Sequence, residues 1–261
     1  MLPAPAYVVS DAHLGFATRE VERSLLRFLA HLRGRAGSLV VNGDLFEFWF
    51  EWRRVMPRGT FRVLAALADL RESGVPIVML AGNHDCWGGE ILREDVGVDY
   101  RMDPWLGSLG GWRARVEHGD GLREREDRGY RLLRRIIRHP VSVRLFRLLP
   151  PDLGSALANR TSHTSRNYQA RDAGAGLRAA AERRLASDRE LELLIYAHSH
   201  VAELKRVADG SVYANAGPWL DRQTFLRITP NRIELRRWDE KESDEGVNLD
   251  TLDRVAEKAL A

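Results

Sequence analysis

Tyr7-Val8-Val9-Ser10-Asp11-Ala12-His13 is the stretch that decides the architecture. A short apolar run of β-branched and aromatic residues reads as a buried strand, and here it stops at a carboxylate and an imidazole, two groups that bind cations. The same plan recurs twice. Ser38-Leu39-Val40-Val41 runs into Gly43-Asp44, and Val75-Pro76-Ile77-Val78-Met79-Leu80 runs into Gly82-Asn83-His84-Asp85. Helices separate these strands. Thr18 is placed to cap one in which Val21, Leu25, Phe28, Leu29 and Leu32 recur at three- and four-residue spacing, and Thr60 precedes another with Leu64, Leu67 and Leu70 on one face. Strand and helix in alternation predict an α/β fold, a mixed or parallel sheet covered by helices.

Working outward, further strands are expected at Arg113 to Glu117, Leu193 to Ala197, Val212 to Ala214, Phe225 to Ile228 and Ile233 to Trp238, the last pair joined by a Pro230-Asn231 turn. From Gly121 to about Leu191 the pattern is nearly all helix, which interrupts the strand series where His118 leaves its strand. We expect residues 1–120 and 192–240 to form the core and 121–191 an inserted helical cap. Tyr130, Leu133, Ile136 and Ile137 share one side of a cap segment and Arg131, Arg134, Arg135 and Arg138 the other, before Pro140 breaks it. Val141, Leu145, Leu148 and Leu149 follow, with Arg144 and Arg147 between them. Either both apolar faces pack on the domain, or they form a greasy groove with a basic rim. The tail, 241–261, reads as a charged loop from Lys241 to Glu245 and a short helix from Leu252 to Ala259.

Composition sets bounds. With 261 residues, 44% of them apolar, the chain can fill a sizeable core, and a net charge of +3 is too small to argue for nucleic acid. Cys86 is the single cysteine and has no disulfide partner in the chain. It reads as a small buried filler. No run of about 18 apolar residues occurs and no apolar leader is visible, so the cytoplasm is the expected compartment.

The chemistry lies at the strand ends, where open α/β sheets bind ligands. Asp11, His13, Asp44, Asn83, His118, His198 and His200 offer carboxylates, one amide and four imidazoles, a mixed set that suits Mn²⁺, Fe or Zn²⁺ better than Ca²⁺ or Mg²⁺. An extended backbone at Asp11-Ala12-His13 would turn both side chains to one side. Two cations about 3.5–4 Å apart polarise a phosphoryl oxygen and activate water. Any one fragment is weak evidence; the ordered set predicts metal-assisted hydrolysis of a phosphate ester.

That set resembles the calcineurin-like metallophosphoesterases, from Tyr7 to about Trp219. The resemblance implies a β-sheet sandwich flanked by helices. It also implies that Asp11, His13, Asp44 and His200 hold one metal while Asp44, Asn83, His118 and His198 hold the other. His84 would donate a hydrogen bond to the phosphoryl group or leaving oxygen, with Asp85 orienting it. Ala197 stands where the family has glycine. A narrower likeness lies in His118-Gly119-Asp120-Gly121-Leu122, Asp127-Arg128-Gly129-Tyr130, Leu157-Ala158-Asn159-Arg160, Ser165-Arg166 and the stretch from Tyr213 to Trp219. These are similar to the bacterial UDP-2,3-diacylglucosamine diphosphatases of lipid A biosynthesis. Proteobacterial members carry arginine where this chain has His84; other branches keep histidine.

The narrower resemblance implies cleavage of the substrate pyrophosphate to UMP and 2,3-diacylglucosamine 1-phosphate, with two divalent ions, Mn²⁺ first and Fe or Zn²⁺ next. The cap would hold acyl chains, and Asp127, Asn159, Arg160, His163 and Arg166 are candidates to contact diphosphate and uridine. Peripheral contact of the basic, apolar helices with anionic inner-membrane lipid stays open. Two alternatives stand beside this: a phosphodiesterase or nuclease of the same superfamily, and a catalytically silent scaffold on the same fold.

Overall fold

The apolar runs of the first half are parallel strands in the computed structural model, which describes residues 1–123, 126–166, 172–207, 210–239 and 245–255. β1 (Ala6–Val9), β2 (Ser38–Asn42) and β3 (Ile77–Leu80) pair in register, Val8 opposite Val40 and Val40 opposite Val78. Two helices connect them, α1 (Arg19–Leu32) and α2 (Phe61–Glu72). Thr18 caps α1 as expected, its hydroxyl oxygen accepting from the Val21 amide at 3.4 Å. Thr60 caps nothing with its side chain, because its hydroxyl donates instead to the Pro57 carbonyl at 2.7 Å within a 3₁₀ turn.

β4 (Asp99–Arg101) extends the parallel set, and β5 (Trp105–Leu109) with β6 (Trp112–Val116) opens a second sheet. Among the described residues four helices intervene before the sheet resumes: α3 (Arg128–Ile137), α4 (Pro140–Arg147), α5 (Pro151–Arg166) and α6 (Ala175–Ser187). β7 (Leu193–Tyr196) then runs parallel to β6 and is followed by β8 (Glu203–Arg206) and β9 (Val212–Asn215). A short α7 (Trp219–Arg222) leads into the hairpin of β10 (Thr224–Thr229) and β11 (Arg232–Arg237) and finally β12 (Val247–Asp253). The first sheet has the order β12-β11-β10-β1-β2-β3-β4, the second β5-β6-β7-β9-β8.

Alternation along each strand explains the layering. Ala6, Val8, Val40, Val78 and Leu80 face Trp105, Val116, Leu193, Ile195 and Ala214 across the inter-sheet core. Tyr7, Val9, Leu39, Val41, Ile77 and Met79 point the other way and bury Leu25, Phe28, Leu29, Val63 and Leu67 of α1 and α2. Cys86 is packed into this second core, 2% exposed. α6 lies on the outer face of the other sheet, with Leu177, Ala181 and Leu185 against Leu194, Tyr196 and Tyr213. The molecule is a sandwich of two sheets flanked by helices. Although α6 falls inside the stretch expected as the insertion, its packing makes it an outer layer of the sandwich. One expectation is overturned at the end of the chain. Leu252 and Asp253, expected to start a helix, close β12, which pairs antiparallel with β11 and covers what would otherwise be a bare sheet edge. Residues 240–244 and 256–261, where the rest of the tail expectation falls, lie outside the described residues.

Candidate metal centre

All seven candidate ligands converge beyond the carboxyl ends of β1, β2, β3, β6 and β7. Asp11 and His13 follow β1, Asp44 follows β2, Asn83 follows β3, His118 follows β6, and His198 and His200 follow β7. The backbone there is not extended. Seven described non-glycine residues have positive φ, and five of them are Asp11, His13, Asp44, His198 and His200, at 46–62°. Each such residue costs about 1 kcal/mol or more, a strain that persists only when the surroundings over-determine it. The surroundings do so through crossed amides: Asp11 N–H donates to the Gly43 carbonyl at 3.2 Å and His13 N–H to the Asp44 carbonyl at 3.0 Å. Two glycines make room. A Cβ on Gly43 would sit 2.4 Å from His118 Nδ1, and one on Gly82 would sit 2.0 Å from Asp44 Oδ1.

The side chains form overlapping groups. Among the described residues, Asp11, His13 and His200 bring ligand atoms within 4.8 Å of one another, as do Asp44, His118 and His198, and also His13, Asp44 and His84. His118 Nε2 faces Asp44 Oδ2 at 3.1 Å and Asn83 Oδ1 at 3.3 Å. His13 Nε2 lies 3.2 Å from His200 Nε2 and 3.9 Å from Asp44 Oδ2, and His200 Nε2 lies 3.5 Å from Asp11 Oδ1. The far nitrogens set the tautomers. His118 Nδ1 meets the Asn42 carbonyl at 2.8 Å and His13 Nδ1 meets Glu47 Oε2 at 3.0 Å, so both Nδ1 atoms donate and each Nε2, when deprotonated, offers its lone pair to a ligand.

This donor set fits divalent cations. Both carboxylate oxygens of Asp11 are buried without a hydrogen-bond partner among the described residues, a costly state that a cation would relieve. His13 Nε2 and His200 Nε2 stand 3.2 Å apart, so the two imidazoles could turn their lone pairs to one shared positive charge. In the chain alone, histidines supply that charge. Burial opposes ionisation of Asp44, yet His118 and His84 beside it hold its pKa well below the usual carboxylate range. Burial also opposes charge on His118, but Asp44 overrides it and pushes the imidazole up to about 10. His198 goes the other way, down to about 4, through burial and the neighbouring His118.

A family model for calcineurin-like phosphoesterases matches residues 4–202. The chain belongs to this family. As a metallophosphoesterase it is a hydrolase that works with divalent metal ions. A UDP-2,3-diacylglucosamine hydrolase of Porphyromonas gingivalis is 36% identical over 61% of this chain and 63% of its own length. Another of that name from Pseudomonas syringae pv. syringae is 28% identical over 96% of both chains. A dimetal phosphatase from Danio rerio shares the fold, with a TM-score of 0.51 over 95% of this chain and 98% of that one at 13% identity.

Other residues differ from what the sequence suggests. Asp85 does not orient His84. It accepts from the amides of Gly82 (2.8 Å), Leu45 (2.8 Å) and Asp44 (3.2 Å), tying the Asp44 turn to the Asn83 turn. Burial and the charge of Asp44 push its pKa to about 6. His84 is oriented by donating from Nδ1 to the Glu47 carbonyl at 3.0 Å. Asp127 is turned inward, both oxygens taken by Arg123: the amide at 2.9 Å and the guanidinium at 2.7 and 3.1 Å. Asn159, Arg160, His163 and Arg166 belong to α5, but their side chains lie outside the described residues.

The amphipathic helix α3 is mounted with its charged side inward. Arg138 and Arg134 reach Asp120 Oδ2 at 3.3 and 3.2 Å, Tyr130 donates to the same oxygen at 2.8 Å, and Arg138 also donates to the Gly82 carbonyl at 2.9 Å. Ile137 packs on the core, whereas Leu132, Leu133 and Ile136 are 62%, 51% and 55% exposed. Val141, Leu145, Leu148 and Leu153 continue the exposed apolar surface along α4 and α5. Asp120 was legible as part of the His118-Gly119-Asp120 turn, but only the fold reveals what it holds.

Proposed function

We propose that this protein hydrolyses the pyrophosphate of UDP-2,3-diacylglucosamine to UMP and 2,3-diacylglucosamine 1-phosphate, using two Mn²⁺ ions. The observation that carries the reading is the pairing of two ligand groups around Asp44 with an exposed apolar face on α3–α5, an arrangement suited to a substrate that is both anionic and acylated. The relatives named as UDP-2,3-diacylglucosamine hydrolases support the substrate.

Asp11, His13, Asp44 and His200 would hold one ion, and Asp44, Asn83, His118 and His198 the other, Asp44 Oδ2 facing both His13 and His118 while Oδ1 accepts from the His84 amide at 2.9 Å. Bound ions supply positive charge at the phosphoryl oxygens and acidify water. His84, with Nδ1 engaged by the Glu47 carbonyl, offers Nε2 to the substrate and in its protonated form donates to the phosphoryl or leaving oxygen. Helices α3–α5 form the cap. Their exposed leucines and isoleucine take the acyl chains, and Arg135, Arg144 and Arg147, exposed beside them, meet anionic headgroups at the cytoplasmic face of the inner membrane.

The test is to incubate Mn²⁺-loaded protein with UDP-2,3-diacylglucosamine and weigh the products by mass spectrometry. UMP with acylated sugar 1-phosphate, at a kcat/KM in the range of about 10⁴–10⁸ M⁻¹s⁻¹, is the expected result. An intact substrate beside a hydrolysed generic phosphodiester would overturn the substrate and keep the reaction class.

A further inference from the structure

Glu47 is a buried acid for which the two-ion chemistry has no direct use, and it stands between two of the histidines that chemistry needs. The segment from Asp44 to Glu47 runs beside Asp11 to Leu14, with Leu14 N–H on the Leu45 carbonyl and Glu47 N–H on the Leu14 carbonyl, both at 2.9 Å. This pairing sets Glu47 behind the His13 ring. Its Oε2 accepts from His13 Nδ1 at 3.0 Å, its Oε1 lies 3.8 Å from His84 Nδ1, and its carbonyl accepts from His84 Nδ1 at 3.0 Å. The two rings meet edge to face, with centroids 4.9 Å apart. Glu47 itself is 5% exposed, so water does not compete for its carboxylate.

We infer that Glu47 is a positioning residue of the hydrolytic centre, its carboxylate fixing the His13 ring so that Nε2 addresses the metal site while its carbonyl fixes His84 for the substrate. The inference rests on the hydrolase reading above. A carboxylate behind a ligating imidazole fixes the tautomer, prevents ring rotation and raises ligand basicity, and loss of such a partner typically costs about 10–100-fold in metal affinity. Because one residue serves both rings, the distance between a metal ligand and a substrate contact is set by a single turn of chain.

The measurement is calorimetric titration of metal-free wild type and Glu47→Gln with Mn²⁺, alongside their metal-free melting temperatures. The expected result is two Mn²⁺ per wild-type chain and, in Glu47→Gln, one of the two affinities lowered about 10–100-fold with the other kept. Wild-type affinity at both sites of Glu47→Gln would overturn the inference and leave the hydrolase reading intact. Should Gln also lower the melting temperature, the same change is made in a His13→Ala background. Disappearance of the effect there supports action through His13; an equal drop there assigns Glu47 to the fold alone and overturns the inference. Wild-type chains that bind no Mn²⁺ would overturn both readings together.

Discussion

At Gly82 the backbone passes so close to Asp44 that a methyl group cannot be inserted, since the added Cβ would lie 2.0 Å from Oδ1 and 2.5 Å from the amide nitrogen. Gly82→Ala is therefore expected to destabilise the fold by about 1–3 kcal/mol, read as a lower urea midpoint, and to weaken Mn²⁺ binding as Asp44 shifts. Cys86 offers a test of burial on the opposite side of the same turn. Desolvation pushes its thiol up to about 12, so the folded protein keeps it protonated and unreactive. A raised folded pKa means stability that is complete below the unfolded thiol value of about 8.5 and declines as pH rises from there toward about 12. Iodoacetamide at about pH 8 should label Cys86 only as fast as the chain opens, and Cys86→Ala should narrow its stability gap with wild type above about pH 9. The candidate ligands were legible because each is tied to the end of an apolar run. Glu47 was not, because its partner His13 is 34 residues away and the aromatic stretch from Leu45 to Trp52 has no period that singles it out. The left-handed backbone at five candidate ligands was also hidden, since neither aspartate nor histidine announces a positive φ as glycine does.

At the scale of the element, α3 shows how far amphipathicity reaches. Its two faces were readable from spacing, but which face turns inward was not, because nothing in the pattern tells that Asp120, in the turn after β6 just ahead of the helix, is buried and attracts its arginines. Removing that acid in Asp120→Ala leaves Arg138 buried without its charge partner and is expected to cost about 3–5 kcal/mol, measured by urea unfolding. Two indoles hold the neighbouring helix ends: Trp87 Nε1 donates to the Ile137 carbonyl at 2.9 Å and Trp52 Nε1 to the Leu149 carbonyl at 3.0 Å. Trp87→Phe keeps one aromatic ring but removes the donor and part of the packed indole, so at least about 1 kcal/mol of stability should be lost, measured by urea unfolding. β12 escaped sequence reading for a related reason. Its exposed positions are Asn248, Leu249, Asp250 and Asp253, and an edge strand of that composition carries too little apolar alternation to be separated from a charged tail.

The whole molecule joins a rigid sandwich, whose strand ends gather the candidate ligands, to helices that present apolar side chains outward. The α/β class and the strand series were readable because buried strands must be apolar; the partition into two facing sheets depends on long-range pairing that no local pattern encodes. The account separates fold from substrate at this scale. Leu133→Asp with Ile136→Asp changes exposed positions, so stability should stay within about 0.5 kcal/mol while kcat/KM for the acylated substrate falls at least about tenfold and that for a small phosphodiester is unchanged. Equal losses on both substrates would place the face in the fold instead. The central claim, two ions sharing Asp44, is most directly tested by anomalous diffraction from crystals grown with Mn²⁺. The account predicts two peaks about 3.5–4 Å apart on either side of the Asp44 carboxylate, one beside Asp11, His13 and His200 and the other beside Asn83, His118 and His198. No peak at these residues, or a single ion without Asp44 among its ligands, would contradict it.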